Sequence, residues 1–314
     1  MRGSNENWFG IGKPRYCLES DVATVRCPAK LNLFLEVSGK RPDGYHEIET
    51  VMSCITLADR LSFAVVEASE IQFRQNAQFA SDSNLLPSPQ ENLVVKSLLR
   101  FQQEANVSLG AHVELSKSIP TQAGLGGASS DAAAALLLAN RMWRVNWSMP
   151  RLAEFAATIG SDVPFFLSGG FAVCSGRGEQ IVPCPGIAGV PVVVVRPPVG
   201  FATPDVYREH VPPKETQSSQ DLVAALRSGN LRQAARSMFN RLQTAAAKLS
   251  DWPERLAHCF SRIPTIGHQM TGSGSCYFGL FGSHNAAIQG AARVHFEFPD
   301  CRVIKCELIT NNRF

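Results

Sequence analysis

A cluster of glycines directly ahead of a strong helix-forming run constrains this 314-residue chain more than any other feature. Gly124, Gly126 and Gly127 lie within four residues, and after Asp131 the run to Ala139 contains only alanine and leucine. The segment before the glycines, AHVELSKS, alternates apolar and polar residues, which predicts a strand. We therefore expect a strand, a glycine turn and then a helix.

Such a turn can bind an anion without a charged side chain. The first N–H groups of a helix have no partner within the helix, and the aligned peptide dipoles leave partial positive charge there. Glycine lets the main chain approach an anion closely, and Ser129 and Ser130 add hydroxyl groups. The segment has neither the lysine of a Walker A loop nor the third glycine of GxGxxG. A tight strand-to-helix turn with serine caps fits the same residues, so the motif alone leaves phosphate binding open.

Two isolated charged residues border apolar segments. Lys30 opens an apolar strand; a lysine there usually covers the sheet edge, but it can also direct a cation at a reacting oxygen or a carboxylate. Asp162 lies between Gly160 and the apolar run that starts at Val163. It can cap a turn or take a proton from a substrate hydroxyl.

Two further turns remain ambiguous in the same way. The sequence RPDG leads straight into Tyr45 and His46, which could clamp a flat ring or simply pack at a hairpin end. A third glycine cluster, Thr271 to Ser275, precedes the strand at Tyr277. It could be an ordinary loop, or it could close over a phosphate chain from the side opposite the first glycine turn.

The composition indicates a globular protein with no nucleic-acid or membrane partner. Hydrophobic residues make up 45% and charged residues 18%, and the net charge is only +3, whereas a nucleic-acid binder needs clustered Lys and Arg. The apolar runs are far shorter than the ~20 residues that span a bilayer. The nine cysteines form no CxxC pair, so we expect reduced thiols, no zinc and a cytoplasmic location. Residues 1–25 are expected to be an extension of unknown role.

Periodicity predicts strands and helices that interleave along the chain, which indicates an α+β protein with about two domains. The predicted strands or extended segments are 30–37, 61–65, 71–73, 113–115, 164–174, 190–195, 277–281 and 303–308. The predicted helices are 93–101, 131–139, 149–159, 222–227, 231–249, 254–261 and 285–294, with a loop over 75–90. Asn92 is the predicted N-cap of the first of these helices.

The segments around Lys30, the first glycine turn, Asp162 and the last glycine cluster resemble, in this order, the motifs of the GHMP small-molecule kinases. They read PAKLNLFL, GLGGASSDAAAA, GSDVPFF and MTGSGS. The resemblance runs from about Cys27 to near Cys306. The longer segments PAKLNLFLEVSGKRPDGYHEIET and GSDVPFFLSGG are most similar to the branch of this family that phosphorylates a cytidine diphosphate-linked methylerythritol in the non-mevalonate isoprenoid pathway.

The resemblance implies a fold and a set of partners. The fold would be the α+β, two-domain GHMP kinase-like fold, with the site in the cleft between the domains. An N-terminal domain like domain 2 of ribosomal protein S5 would cover residues 1–173, and an α/β-sandwich C-terminal domain residues 174–314. ATP would be the co-substrate, with Mg²⁺ whose ligands the sequence does not identify. The partners would be small molecules, with no nucleic acid or membrane, and the protein a monomer or homodimer.

The resemblance also assigns roles to residues. Asp162 matches the catalytic aspartate that activates the acceptor hydroxyl, and Lys30 matches the lysine beside it. The substrate-binding positions are Asn32, Tyr45, His46, Thr203 and Tyr207. Gly272, Ser273 and Gly274 match the third motif of the family. The ATP-binding positions are Pro120, Gly124, Leu125, Gly126, Gly127, Ala128, Ser129 and Ser130. Ala128 departs from the family pattern, which more often has a third consecutive glycine there.

Two alternatives stay open at this point. Another kinase of the same family could act on mevalonate, homoserine or a sugar, substrates that have no base to stack on aromatic side chains. A catalytically silent nucleotide-binding relative would be expected to have lost Asp162 or Lys30, and both are present.

Overall fold

The computed structural model describes residues 17–19, 22–77 and 86–310. Most of the predicted N-terminal extension, residues 1–16 and 20–21, lies outside this range. The strands are β1 (Cys17–Glu19), β2 (Val22–Lys40), β3 (His46–Val66), β4 (Ile71–Ala77), β5 (Gly110–Lys117), β6 (Phe171–Gly176), β7 (Gln180–Pro183), β8 (Pro191–Arg196), β9 (Phe239–Asn240), β10 (Gly267–Met270), β11 (Tyr277–Leu280) and β12 (Arg302–Ile309).

The helices lie mostly between these strands. They are α1 (Leu93–Ala105), α2 (Gly127–Met142), α3 (Met149–Ile159), α4 (Val163–Ser168), α5 (Thr203–Glu209), α6 (Gln220–Arg227), α7 (Leu231–Arg236), α8 (Leu242–Leu249), α9 (Trp252–Ser261) and α10 (His284–Glu297). None of the helices in the described part of the chain has the length and hydropathy of a membrane span.

The long antiparallel pair of β2 and β3 forms the base of the site. Its register shifts between Pro28 and Lys30, and again between Asn32 and Phe34. Such irregularities bend a strand and re-aim its side chains. Lys30 and Asn32 lie between these two irregular points, and because they are two positions apart their side chains are on the same face of β2. β5 and β6 both pair with β3, so the segments that follow β5 and precede β6 lie above the same sheet.

β12 joins the two halves of the molecule. It pairs with β8 over Arg302 to Glu307, and its last residues, Leu308 and Ile309, pair with Ile55 and Cys54 of β3. The strand order is consequently continuous, β1-β2-β3-β12-β8-β11-β10. The predicted division at residues 173 and 174 falls inside β6, and it stays a prediction.

Buried apolar side chains fill the space on both sides of this sheet. One cluster packs α1, α2, α3 and α4 on β2, β3 and β5, and it includes Leu98, Leu136 and Phe165. A second combines residues of both halves, among them Leu31 and Leu308. This packing fixes the start of α2 and the start of α4 over the middle of β2, where the predicted motifs meet.

Several predicted elements are confirmed and three need correction. The strand at 30–37, the buried strand at 190–195 and the helix at 149–159 correspond to β2, β8 and α3. The predicted cap is also present, because Asn92 Oδ1 accepts from Val94 N at 2.9 Å. The loop predicted over 75–90 begins later, since β4 continues to Ala77, and residues 78–85 lie outside the described residues.

The extended segment predicted over 164–174 is wrong for its first half. Residues Val163–Ser168 form helix α4, and β6 starts only at Phe171. Pro164 lies in the first helical turn, where a missing N–H costs nothing. Gly169 and Gly170, both with positive φ, then end the helix.

The single helix predicted over 231–249 is interrupted. α7 ends at Arg236, and Phe239–Asn240 form the short strand β9, which pairs in parallel with Phe34 and Leu35 of β2. Tertiary pairing overrides local helix propensity at this point.

Candidate active site

Lys30 and Asp162, which are 132 positions apart, lie side by side. Lys30 Nζ is 3.7 Å from Asp162 Oδ2, and the two side chains are 5% and 34% exposed. Lys30 is therefore not the surface residue that its position in the strand would usually indicate. Burial lowers the pKa of Lys30 below its ordinary value, and the charge of Asp162 partly offsets that effect.

A network of hydrogen bonds holds Lys30 in place. Its ammonium donates to Asn32 Oδ1, and Asn32 Nδ2 donates to Thr50 Oγ1 at 2.9 Å. The main-chain N–H of Asn32 donates to Thr271 Oγ1 at 3.0 Å, which ties β2 to the third glycine segment. The lysine has few alternative positions, because its amide partner is fixed on both sides.

The glycine turn packs directly on these groups. Gly124 and Gly126 have φ of 71° and 69°, a conformation that other residues rarely adopt. A Cβ at Gly124 would lie 2.2 Å from the carbonyl oxygen of Thr271. A Cβ at Gly126 would lie 3.0 Å from Cγ of Lys30 and 2.9 Å from Cζ of Phe166. The turn thus needs glycine for its backbone conformation and for contact with its neighbours.

The helix after the turn starts earlier than the sequence predicts. α2 begins at Gly127, with Gly126 as its N-cap and no side chain capping it. Its first main-chain N–H groups are therefore the donors available to an anion. The sequence allowed a serine cap at this turn, but no serine side chain caps α2. Ser130 is fully buried.

A cavity of about 1340 Å³ connects the predicted motifs. Asp162 lies on its wall, whereas Lys30, Ser130 and Gly274 are not among the residues that line it. The other predicted site residues all line this cavity: Asn32, Tyr45, His46, Pro120, Gly124, Leu125, Gly126, Gly127, Ala128, Ser129, Thr203, Tyr207, Gly272 and Ser273.

Aromatic side chains form one end of the cavity. The rings of His46 and Tyr207 are 4.8 Å apart between centroids, and Tyr45 is 52% exposed with the guanidinium of Arg177 4.7 Å above its ring. Burial, and then the nearby charge of Asp162, raise the pKa of Tyr207. Tyr207 is therefore the aromatic residue at this end of the cavity whose pKa responds to the charge of Asp162.

The aromatic end is also tied to the third glycine segment, because the hydroxyls of Thr203 and Ser273 are 3.0 Å apart. A hydrogen bond consequently links one predicted substrate residue, Thr203, to the predicted third motif. The structure brings these segments together, while the individual roles of their residues stay predictions.

Sequence reasoning missed a buried charged cluster beneath the glycine turn: Asp59, Lys117 and Asp131. One signal was available for Lys117. Ala111, Val113 and Leu115 point inward from β5 at period two, and Lys117 occupies the next inward position of that strand. Arg177, at the aromatic end of the cavity, was also missed.

The comparisons with known proteins agree with this geometry. The family model described as the N terminal domain of GHMP kinases matches residues 92–170, and the GHMP kinases C terminal model matches residues 222–300. The 4-diphosphocytidyl-2-C-methyl-D-erythritol kinase of Pelotomaculum thermopropionicum is 40% identical over 278 residues, which are 87% of this chain and 93% of the relative. The kinase of the same name from Bacillus pumilus is 36% identical over 81% of this chain and 86% of the relative.

Solved structures confirm the predicted GHMP kinase-like fold. A crystal structure of 4-(cytidine 5'-diphospho)-2C-methyl-D-erythritol kinase matches with a TM-score of 0.76 at 32% identity, over 91% of this chain and 99% of that chain. Homoserine kinase from Cytophaga hutchinsonii matches with a TM-score of 0.75 over 95% and 98%, but at 19% identity it supports the fold alone. By its matched domains and by relatives well above 30% identity over most of their length, this chain belongs to the 4-diphosphocytidyl-2-C-methyl-D-erythritol kinases of the GHMP kinase family.

Proposed function

We propose that this kinase transfers the γ-phosphoryl group of ATP to the 2-hydroxyl of 4-diphosphocytidyl-2-C-methyl-D-erythritol, a step of the non-mevalonate route to isoprenoid precursors. One observation carries the proposal beyond the family name. The Lys30 ammonium and the Asp162 carboxylate are 3.7 Å apart between the glycine turn and the aromatic end of a single cavity. A phosphate donor at the turn and an acceptor at the aromatic end would meet at this pair.

The donor end uses the main chain. The N–H groups at the start of α2 and the partial positive charge of that helix end would hold the ATP phosphates. Gly124 and Gly126 supply the positive-φ backbone that the turn before these N–H groups requires. The third glycine segment, which contacts Gly124, would close the phosphate site from the other side.

The chemical step needs a proton acceptor and neutralisation of charge. Phosphoryl transfer passes through a loose transition state, so positioning and electrostatic stabilisation supply most of the catalysis. Asp162, which is partly exposed to the cavity, would accept the proton of the attacking hydroxyl. The Lys30 ammonium would hold the attacking oxygen beside Asp162 and stabilise the negative charge that develops there.

The residues present fit a Mg²⁺ ion that arrives with the nucleotide. No group of three or more His, Cys, Asp or Glu side chains that could hold a metal exists among the described residues. Mg²⁺ usually keeps several waters and binds phosphate oxygens with few protein ligands, so the glycine turn would hold it indirectly through the phosphates. When bound, the ion would neutralise charge on the phosphate oxygens.

The acceptor end would bind the cytosine ring between aromatic side chains. Tyr45, His46 and Tyr207 line this end of the cavity, and Thr203 borders it. Binding energy from the base would position a hydroxyl several bonds away. Action as a monomer or homodimer in the cytoplasm, on small molecules alone, is part of the same proposal.

A comparison of acceptors tests the proposal. Purified protein with MgATP is supplied with 4-diphosphocytidyl-2-C-methyl-D-erythritol, mevalonate, homoserine or galactose, and ADP release is followed. We expect turnover with the first acceptor, a kcat/KM lower by at least about 10³ with the others, and a phosphate on the 2-hydroxyl by phosphorus NMR. Faster turnover of mevalonate or homoserine, or none of any acceptor, would contradict it.

A further inference from the structure

Two carboxylates share one ammonium beneath the glycine turn. Lys117 Nζ donates to Asp131 Oδ2 at 2.6 Å and to Asp59 Oδ2. Asp59 Oδ1 accepts from the main-chain N–H of Ile119 at 2.8 Å and from that of Ser118. The side chains of Lys117, Asp59 and Asp131 are 8%, 0% and 2% exposed. The cluster therefore ties the end of β5 to the start of α2, on either side of the turn.

The charges in this cluster do not balance when both carboxyl groups are ionised. Asp59 accepts three hydrogen bonds, whereas Asp131 Oδ1 is buried with no hydrogen-bond partner among the described residues. Burial disfavours a second negative charge that is not fully hydrogen-bonded. Desolvation raises the pKa of Asp131 to about 7, in spite of the opposing charge of Lys117.

Around Asp131, the described residues add no second cation to Lys117. The ionisable groups that face it are Asp59 from β3, Lys117 from β5 and the buried thiol of Cys27 from β2. Burial and the neighbouring carboxylates raise the pKa of Cys27, so this thiol stays neutral. The helices packed around α2 contribute buried apolar side chains to the same core, among them Leu98, Ala156 and Phe165.

The cluster lies next to the predicted phosphate site. A Cβ placed on Gly127, the first residue of α2, would be 3.3 Å from Lys117 Nζ. Asp131 follows four positions later in the same helix, and both Lys117 and Asp131 are among the residues that line the cavity. An ATP phosphate bound at the start of α2 would thus meet the electrostatic field of this cluster.

We propose that Asp131 is a positioning residue that takes up a proton from solvent when ATP binds at the glycine turn. With Asp131 ionised, the cluster carries a net charge of −1 and opposes the phosphates. With Asp131 neutral, Lys117 and Asp59 balance each other, and the turn can accept the anion. The inference rests on the proposed function in one respect: it takes the nucleotide site to be at the start of α2.

Proton uptake can be measured without any variant. Calorimetric titration of ATP at pH 7, repeated in buffers that differ in ionisation enthalpy, gives the number of protons bound. We expect about half a proton per ATP, and a Kd that rises about tenfold between pH 6 and pH 8 as the free protein loses this proton. A wild-type protein that binds ATP with no such uptake would overturn the inference.

The pH dependence of ATP binding has one contribution from Asp131 and one from the ionisation of ATP itself. Variants distinguish the two, because the contribution of ATP is the same for every protein tested. Asp131→Asn should bind ATP with the residual pH dependence of the nucleotide alone. Asp251→Asn, which removes a carboxylate that is 69% exposed at the N-cap of α9, should keep the wild-type dependence. The same linkage in wild type and Asp131→Asn would overturn the assignment.

A second variant covers the case in which Asp131→Asn does not fold. Asp59→Asn leaves one carboxylate for Lys117, so Asp131 should remain ionised and the uptake at pH 7 should fall; unchanged uptake would overturn the inference. Failure of the proposed function looks different, because it would appear in the acceptor assay as faster turnover of another acceptor or as turnover of none, whereas the proton uptake is measured with ATP alone.

Discussion

At the scale of single residues, Lys30 is confined by its neighbours on several sides. Its side chain is 5% exposed, its ammonium contacts Asn32 and Asp162, and Gly126 leaves it no room on the side of the turn. Burial disfavours the charged form of a lysine, and a nearby carboxylate favours it. Here burial has the larger effect, so the pKa of Lys30 is lowered.

This shift predicts an alkaline limb in the pH profile. If the ammonium is needed for catalysis, kcat/KM should fall as pH rises through the lowered pKa of Lys30, at a pH below the ~10.4 of an ordinary lysine. Lys30→Arg, which stays charged, should be slower but should lack this limb. A limb at the same pH in both proteins would remove Lys30 from the mechanism.

The sequence identifies Lys30 and Asp162 only through their family motifs. Taken alone, Lys30 could equally cover a sheet edge, and Asp162 could equally cap a turn. Asp59, Lys117 and Asp131 could not be grouped in that way. Asp59 and Lys117 are 58 positions apart, and their contact depends on the pairing of β3 with β5. A single charged residue such as Lys117 can be recognised at an inward position of an alternating strand. The sequence pattern does not indicate which residue is its partner.

At the scale of elements, the glycine turn illustrates two separate requirements at one position. Gly126 has a positive φ, and a Cβ there would press on Phe166 and Lys30. Gly229 has nearly the same φ, 70°, but a Cβ there would meet nothing within 4 Å. The two glycines therefore differ in their surroundings and hardly in their backbone.

Gly126→Ala and Gly229→Ala form a matched pair. Gly229→Ala should lower the free energy of unfolding by about 1–2 kcal/mol, because it forces a Cβ into the left-handed region. Gly126→Ala should lower it by at least as much, because its Cβ also presses on Phe166 and Lys30. Only Gly126→Ala should also raise KM for ATP and lower kcat, since only there must Lys30 shift. Chemical denaturation and steady-state kinetics check the two parts. Equal kinetic effects of both variants would contradict the role of the turn.

Elements were predictable where a local pattern dominates. The cap at Asn92 and the apolar strand β8 follow from sequence alone, because their signals lie within a few residues. The helix α4 was mistaken for a strand, since a short apolar run fits either state. The break between α7 and α8 depends on the pairing of β9 with β2, which no local signal reports.

At the scale of the whole molecule, β12 makes the two halves depend on each other. Leu308, 1% exposed, pairs with Ile55 and packs in a core with residues of both halves. The predicted domain boundary near residue 173 describes the order along the chain, whereas the sheet runs across it. The site lies where segments of both halves meet, so its geometry should depend on this shared core.

We therefore expect one cooperative unfolding transition. Leu308→Ala should destabilise the whole protein by about 2–5 kcal/mol in that single transition, because it opens a cavity in the shared core. Leu249→Ala, at a position 41% exposed, should cost less than about 1 kcal/mol. Scanning calorimetry measures both. Two separate transitions in the wild type, or a loss confined to one of them in Leu308→Ala, would show that the halves fold independently.

The central claim is that Asp162 accepts the proton of the acceptor hydroxyl beside a buried lysine. Steady-state kinetics of Asp162→Asn, with ATP and 4-diphosphocytidyl-2-C-methyl-D-erythritol, test it most directly, because the substitution keeps the shape and removes the base. We predict that kcat falls by about 10²–10⁴ while KM for ATP stays nearly unchanged. A kcat close to that of the wild type would contradict the claim.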